Sequence, residues 1–137
     1  MLSILVELQR DRRYVYPDVV VGDWNAASNY GDMDVLHDPV LVVEVLSKHT
    51  AAYDRNRKFA MYRQVPSLQH YLLVEQTWRH VELYTRQTNA TWLLSEANAG
   101  DVRLSALDVT LPIAAIYDEV EVPDEDPDPF EPPRYER

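Results

Sequence analysis

Leu41-Val42-Val43-Glu44-Val45-Leu46-Ser47 is a run of β-branched and aliphatic residues with one carboxylate set into it. Both alternating faces of the run are apolar, the pattern of a strand covered on both sides in the middle of a sheet. On that alternation Val40, Val42, Glu44 and Leu46 share one face, and Leu41, Val43 and Val45 the other. A carboxylate placed there is costly to desolvate unless it gains a partner, a metal or a raised pKa.

Upstream, Tyr16-Pro17-Asp18-Val19-Val20-Val21 repeats the arrangement. Residues 13–21 read as a strand, joined to a first strand at 3–8 by the polar turn Gln9-Arg10-Asp11-Arg12, and the two together read as a hairpin. Pro17 removes a ladder donor, which puts this strand at an edge or bulges it. Tyr14, Tyr16, Asp18 and Val20 share a face, so pairing with the Glu44 strand in register would set Asp18 beside Glu44. Between the two runs, residues 22–39 read as a long polar loop, a length that is often functional.

Downstream, residues 51–64 read as a helix with Thr50 as its N-cap and Pro66 as its stop. Strands follow at 68–75, 78–86 and 91–94, the first two joined tightly at Gln76-Thr77. A small strand at 101–104 and a short closing helix or turn at 111–117 complete the pattern. This order predicts an α+β sheet with one strong helix packed on a face.

The 137 residues suit one domain, residues 1–120, with a sizeable core, followed by an acidic, Pro-rich tail at 121–137 that reads as disordered. There is no cysteine, which excludes disulfides and thiolate zinc sites and fits a reducing cytoplasm. The first residues lack the basic and apolar regions of a signal peptide, and no stretch is long enough to cross a bilayer, so no membrane partner is expected. The net charge of −10 argues against loose electrostatic binding of duplex nucleic acid. That charge is uneven: from Glu121 onward there are seven acids against two arginines.

Two neighbouring carboxylates repel, and a divalent cation relieves the repulsion. Magnesium takes one or two carboxylates together with waters and phosphate oxygens, and an ion so held can polarise a phosphodiester. Lys58 follows on the predicted helix, where Asp54, Lys58 and Tyr62 are spaced four apart and share a face. Arg55 and Arg57 flank it, and Arg63 comes about one turn later, giving a basic edge beside an acidic pocket.

Plainer roles exist for each residue. Asp18 could be a strand-end residue, Glu44 could pair with Arg13 or Arg55, and Lys58 could simply pair with Asp54. Tyr62 suits packing, and Ser47 suits a turn cap. The cluster Asp32, Asp34, His37 and Asp38 lacks the glycine and distal glutamate of an EF-hand loop. His37, His49, His70 and His80 show no HExxH spacing, and there is no P-loop or GxSxG elbow.

The ordered set Pro17-Asp18, Glu44-Val45-Leu46-Ser47, Tyr53-Asp54-Arg55, Lys58, Tyr62 and Tyr71-Leu72-Leu73-Val74 resembles the Uma2-type (DUF820) proteins of the PD-(D/E)XK restriction-endonuclease-like superfamily. The resemblance covers residues 14–117. It implies a mixed central β-sheet flanked by helices, with Mg2+ (or Mn2+) held by Asp18 and Glu44. It implies catalysis by Asp18, Glu44 and Lys58, support from Ser47, Asp54 and Tyr62, and contacts from Arg55, Arg57 and Arg63 to a nucleic-acid backbone. The commonest superfamily pattern has a lysine two residues after the glutamate. Leu46 stands there, and the basic role maps to Lys58 on the next helix. The N-terminal helix of related chains is absent from this sequence, which is read as truncated.

Two functions follow as expectations. One is a Mg2+-dependent endonuclease cleaving DNA. The other is a catalytically inactive, truncated nuclease-fold protein that works as a binding module. An uncovered sheet edge would also allow a homodimer.

Overall fold

The computed structural model describes residues 4–8, 13–23, 28–30, 33–47 and 50–127. In chain order the strands are β1 (Ile4–Leu8), β2 (Arg13–Val15), β3 (Val19–Gly22), β4 (Ser28–Tyr30), β5 (Met33–Leu36) and β6 (Pro39–Leu46). A continuous helical segment follows: α1 (Ala51–Tyr53), a π-helical turn (Asp54–Lys58) and α2 (Phe59–Tyr62). Then come β7 (His70–Glu75), β8 (Val81–Arg86), β9 (Trp92–Ala97), β10 (Asp101–Leu104), a 3-10 turn (Ser105–Leu107), β11 (Val109–Pro112) and α3 (Ile113–Ile116).

The main sheet has five strands in the order β3-β6-β7-β8-β9. β6 and β7 are parallel neighbours joined by the helical crossover, and the other pairs are antiparallel. This is the mixed sheet of an α+β fold, and β6 is an interior strand as its two apolar faces demand. A second sheet, β2-β1-β5-β4, and the β10–β11 hairpin complete the architecture.

The structure departs from the sequence reading in several places, among them residues 109–112, which form a strand paired with residues 101–104 ahead of the closing helix. Residues 13–21 form two strands rather than one. β2 pairs with β1 in the second sheet, and β3 pairs with β6 in the main one. The break falls at Tyr16-Pro17-Asp18, where Pro17 has no N–H to donate. The predicted polar loop at 22–39 contains the β4–β5 hairpin, held by parallel pairing of β5 with β1 rather than by strand propensity. Gly22, where the β3–β6 register shifts, has no room for a side chain: a Cβ there would lie 2.7 Å from Leu36 Cδ2 and 2.9 Å from Asp38 O. Thr50 makes no capping bond to the helix. Instead Ser47 holds the turn: its Oγ accepts the Thr50 N–H at 3.2 Å, and its carbonyl accepts those of Thr50 and Ala51. The β7–β8 connection is also longer than Gln76-Thr77, running from residue 76 to 80.

The helical segment covers one face of the sheet. Val42 and Leu46 of β6 and Tyr71 and Leu73 of β7 pack there with Phe59 and Tyr62. Phe59 stacks on Tyr71 with ring centres 5.3 Å apart and meets Trp92 edge-on at the same distance. Arg86 ties off the helix end, donating to the carbonyls of Arg63, Val65 and Leu68 while lying 4.5 Å over Trp92.

On the opposite face, Leu41, Leu72, Val74, Val81 and Leu83 pack against Val102, Leu104, Ile113 and Tyr117. The Tyr117 hydroxyl accepts the His80 N–H at 3.1 Å and lies within 2.9 Å of the Glu75 and His80 carbonyls, pinning the β7–β8 turn. Val122 packs against this cluster and the Pro123 carbonyl accepts the Arg79 N–H. The remainder of the predicted tail, residues 128–137, lies outside the described residues. No helix among the described residues is long and apolar enough to cross a membrane.

Candidate functional site

β6 delivers Glu44 to the helix-covered face of the sheet, where only 2 % of the residue is exposed. The helix crosses above it and supplies three side chains. Lys58 Nζ lies 3.2 Å from Glu44 Oε1 and 3.2 Å from Asp54 Oδ1. The Tyr62 hydroxyl donates to the same Glu44 oxygen at 3.2 Å. The spacing that put Asp54, Lys58 and Tyr62 on one face therefore brings all three to Glu44. Its cationic partner is Lys58, whereas Arg55, one of the two arginines considered, is engaged elsewhere.

The helix carries a π-helical turn at this point. It spans Asp54–Lys58, and such turns occur mostly as local insertions in α-helices, frequently at functional sites. Within it Asp54 and Lys58 lie over β6 while Arg55 turns toward β7 and β8. There Arg55 bonds Glu75 at 3.0 Å and both oxygens of Glu82 at 3.1–3.3 Å. Of the three arginines assigned to a nucleic-acid backbone, Arg55 is thus held inside the fold, while Arg57 and Arg63 are exposed.

Asp18 arrives from the other side. The β3–β6 register pairs Val19 with Val43 and Val20 with Val42, so Asp18 stands across from Glu44. Its Oδ2 accepts the Val45 N–H at 2.7 Å, continuing the ladder where the prolyl residue before it cannot donate. The expectation that a neighbouring register sets these two carboxylates side by side matches this geometry.

The electrostatics follow from depth. Burial pushes the Glu44 carboxyl up to about 7; Lys58 pulls it down, and the charges of Asp18 and Asp54 push it further up. Lys58 is shallower. Its burial opposes the charge, but Glu44 and Asp54 together outweigh that and raise its pKa. The ion pair therefore secures the ammonium more firmly than the carboxylate. Burial, reinforced by Glu44, also raises Tyr62 and Tyr71, which keeps both phenols protonated. Asp54 Oδ1 is buried with no donor aligned on it, so its contact with Lys58 is one of charge without directed hydrogen bonding.

Glu44 and Asp54 converge on one ammonium and Asp18 stands across from Glu44, but the three carboxylates do not bring one oxygen each within 4.8 Å of one another, so they offer oxygen donors singly or in pairs, with the remaining positions of a hard cation left to water. The buried Asp54 oxygen without an aligned donor belongs to the same group. Ser47 makes its bonds within the turn to Thr50, and none to Glu44 among the described residues. Asp34 lies in β5, while Asp32 and His49 lie outside the described residues.

Sequence reasoning missed the second set of ion pairs on this face. Glu82 is a buried carboxylate flanked by Val81 and Leu83, the same signal that marked Glu44. It pairs with Arg55, and beside it lie His80 and Glu96.

The chain matches the family model Uma2, described as "Putative restriction endonuclease", over residues 2–114. It is 40 % identical over 83 residues to the uncharacterized protein sll1609 of Synechocystis sp., covering 61 % of this chain and 47 % of that one. It is 41 % identical over 80 residues to a second uncharacterized Synechocystis protein, slr1290, covering 58 % and 42 %. The chain thus spans about half the length of the curated relatives it matches. Its fold is similar to a crystal structure from Anabaena variabilis ATCC 29413, described as "a putative nuclease belonging to DUF820". The TM-score is 0.64 and the identity 14 %, over 88 % of this chain and 68 % of the other.

Proposed function

This chain belongs to the Uma2 family, and on that premise we propose that it is a metal-dependent endonuclease hydrolysing phosphodiester bonds of DNA. Asp18 and Glu44 would hold Mg2+ (or Mn2+), with Asp54 beside them. One observation carries the reading: the buried Glu44 lies across from Asp18 on paired strands and touches Lys58 at 3.2 Å. Strongly perturbed carboxyls in such company cluster at functional sites.

The chemistry the ion supplies is Lewis-acid polarisation of the phosphodiester and a lowered pKa for the attacking water. The chain's own groups do the rest. Lys58 keeps its proton, so its ammonium offers a fixed positive charge to the oxygens that gain charge during attack. Tyr62 donates to Glu44 Oε1 and fixes its rotamer, which leaves the second carboxylate oxygen for a ligand. Asp18 spends Oδ2 on the strand and keeps Oδ1. Arg57 and Arg63, exposed on the same helical segment, would meet the phosphate backbone locally on a chain whose overall charge is unfavourable to DNA.

The test is cleavage of plasmid DNA with and without Mg2+, comparing wild type with Glu44→Gln and Asp18→Asn. Metal-dependent cleavage that falls at least a hundredfold in both variants supports the proposal. Cleavage retained in both sinks it.

A second reading rests on Lys58 itself. Its ammonium already contacts both Glu44 and Asp54, so the site is partly neutralised without an ion. A nuclease-fold module that binds without cutting would look the same. DNA binding by gel shift with no cleavage under any divalent ion would select it.

A further inference from the structure

A second set of metal-type ligands meets on the same sheet face, two strands from Glu44. Glu82 of β8 and Glu96 of β9 are ladder partners, and His80 sits just before β8. One ligand atom from each lies within 4.8 Å of the other two. His80 Nε2 is 3.8 Å from Glu82 Oε1 and 3.6 Å from Glu96 Oε1. A point equidistant from three such atoms is about 2.1–2.4 Å from each, close to zinc–nitrogen and zinc–oxygen bond lengths.

Like charges directly opposite on paired strands destabilise a sheet. Arg55 answers Glu82 but is shared with Glu75, and among the described residues the ionic contact of Glu96 is His80. A cation bridging Glu82 and Glu96 would remove the repulsion. The imidazole is positioned in advance: Tyr117 bonds the His80 backbone, and the ring stacks on Trp78 at 4.4 Å with planes 7° apart. Arg55 holds the Glu82 carboxylate in place by donating to both of its oxygens, Oε1 included, as outer partners of metal ligands do.

We propose that His80, Glu82 and Glu96 form a divalent-metal site of the zinc class, distinct from the Asp18–Glu44 set, which clips the edge strand β9 onto β8. The imidazole makes the difference: mixed nitrogen and oxygen donors favour Zn2+ or Co2+, while Mg2+ prefers oxygen alone. This inference does not depend on the nuclease reading.

The experiment titrates wild type and Glu44→Gln with Co2+ and with Zn2+ in Mg2+-containing buffer, following heat and tryptophan fluorescence. The expected result is one saturable equivalent in Glu44→Gln, with Co2+ quenching Trp78 through the stacked ring. Glu96→Gln, at a half-exposed position on the edge strand, and His80→Asn should each weaken binding at least tenfold. Trp78→Phe should lose the quench and keep the heat. No saturable binding by folded protein, displacement by millimolar Mg2+, or binding unchanged in Glu96→Gln and His80→Asn would overturn the proposal.

Discussion

The carboxylate of Asp18 accepts the backbone N–H of Val45 at 2.7 Å, directly beyond the last ladder pair of β3 and β6. The residue proposed to hold a metal is thus also a piece of the sheet. On that proposal its two oxygens have separate duties, and mutation can separate them.

Asp18→Asn keeps a side-chain oxygen for Val45 and should hold stability within about 0.5 kcal/mol of wild type. Asp18→Ala loses that acceptor and should cost about 1 kcal/mol. Both should lose Mg2+ affinity. Urea unfolding read beside calorimetry checks this, and equal stability loss in the two variants would contradict it.

Glu44 should cost stability at neutral and alkaline pH. Its folded carboxyl titrates at about 7 against an ordinary value of 4.5. Between those values the folded protein holds a proton that the unfolded chain releases, so this contribution falls as pH rises from 4.5 to 7. Glu44→Gln should therefore be more stable than wild type at pH 8, by about 1–3 kcal/mol, with the gain fading by pH 5. Thermal unfolding at both pH values decides it; a gain of the same size at each would refute the assignment.

Lys58→Met removes the one cation from between Glu44 and Asp54. The loss should be about 2–3 kcal/mol at pH 8, less than for a fully buried pair because Lys58 retains some exposure. It should shrink near pH 5, where Glu44 takes up a proton. Chemical denaturation across this range, with DNA cleavage alongside, would show stability recovering in acid while cleavage stays lost.

Much of the site and the central sheet could be read from the chain, because both rest on strand alternation. The apolar run around Glu44 needs a doubly covered strand, and a carboxylate inside it needs a partner; neither depends on distant residues. The spacing of Asp54, Lys58 and Tyr62 was visible for the same reason. The β4–β5 hairpin was not visible, since Ser28, Asn29 and Asp34 have weak strand preference and pair only because β1 lies alongside. The fate of Arg55 was hidden too. Helical spacing alone placed it outward among basic neighbours, whereas its carboxylate partners Glu75 and Glu82 lie on strands 20 and 27 residues further along the chain.

His70 carries an opposite pH dependence. It is buried, its Nε2 accepts the Ala106 N–H at 3.1 Å, and Nδ1 faces Thr85 Oγ1 at 3.2 Å. The Ala106 bond leaves the ring proton on Nδ1, and burial lowers its pKa below 6.5. The unfolded chain takes up a proton first on acidification, so this contribution is whole above pH 6.5 and lost as pH falls below it. Because Glu44 slopes the other way, ring-proton NMR is the cleaner measurement. A His70 midpoint at or above 6.5 would be inconsistent with the buried neutral ring.

The π-helical turn at Asp54–Lys58 governs how this segment answers a change of chain length. Deleting a single residue there would let the segment close into regular α-helix. Because the wide turn accommodates one residue more than regular helix needs, the residues beyond it, Phe59 and Tyr62 among them, would keep their face toward the sheet. A one-residue gap in the regular α-helical stretch Phe59–Tyr62 has no such slack: everything after it would rotate by about 100° and move about 1.5 Å along the axis. The π-helical turn is therefore the place in this segment where a change of chain length is most readily absorbed.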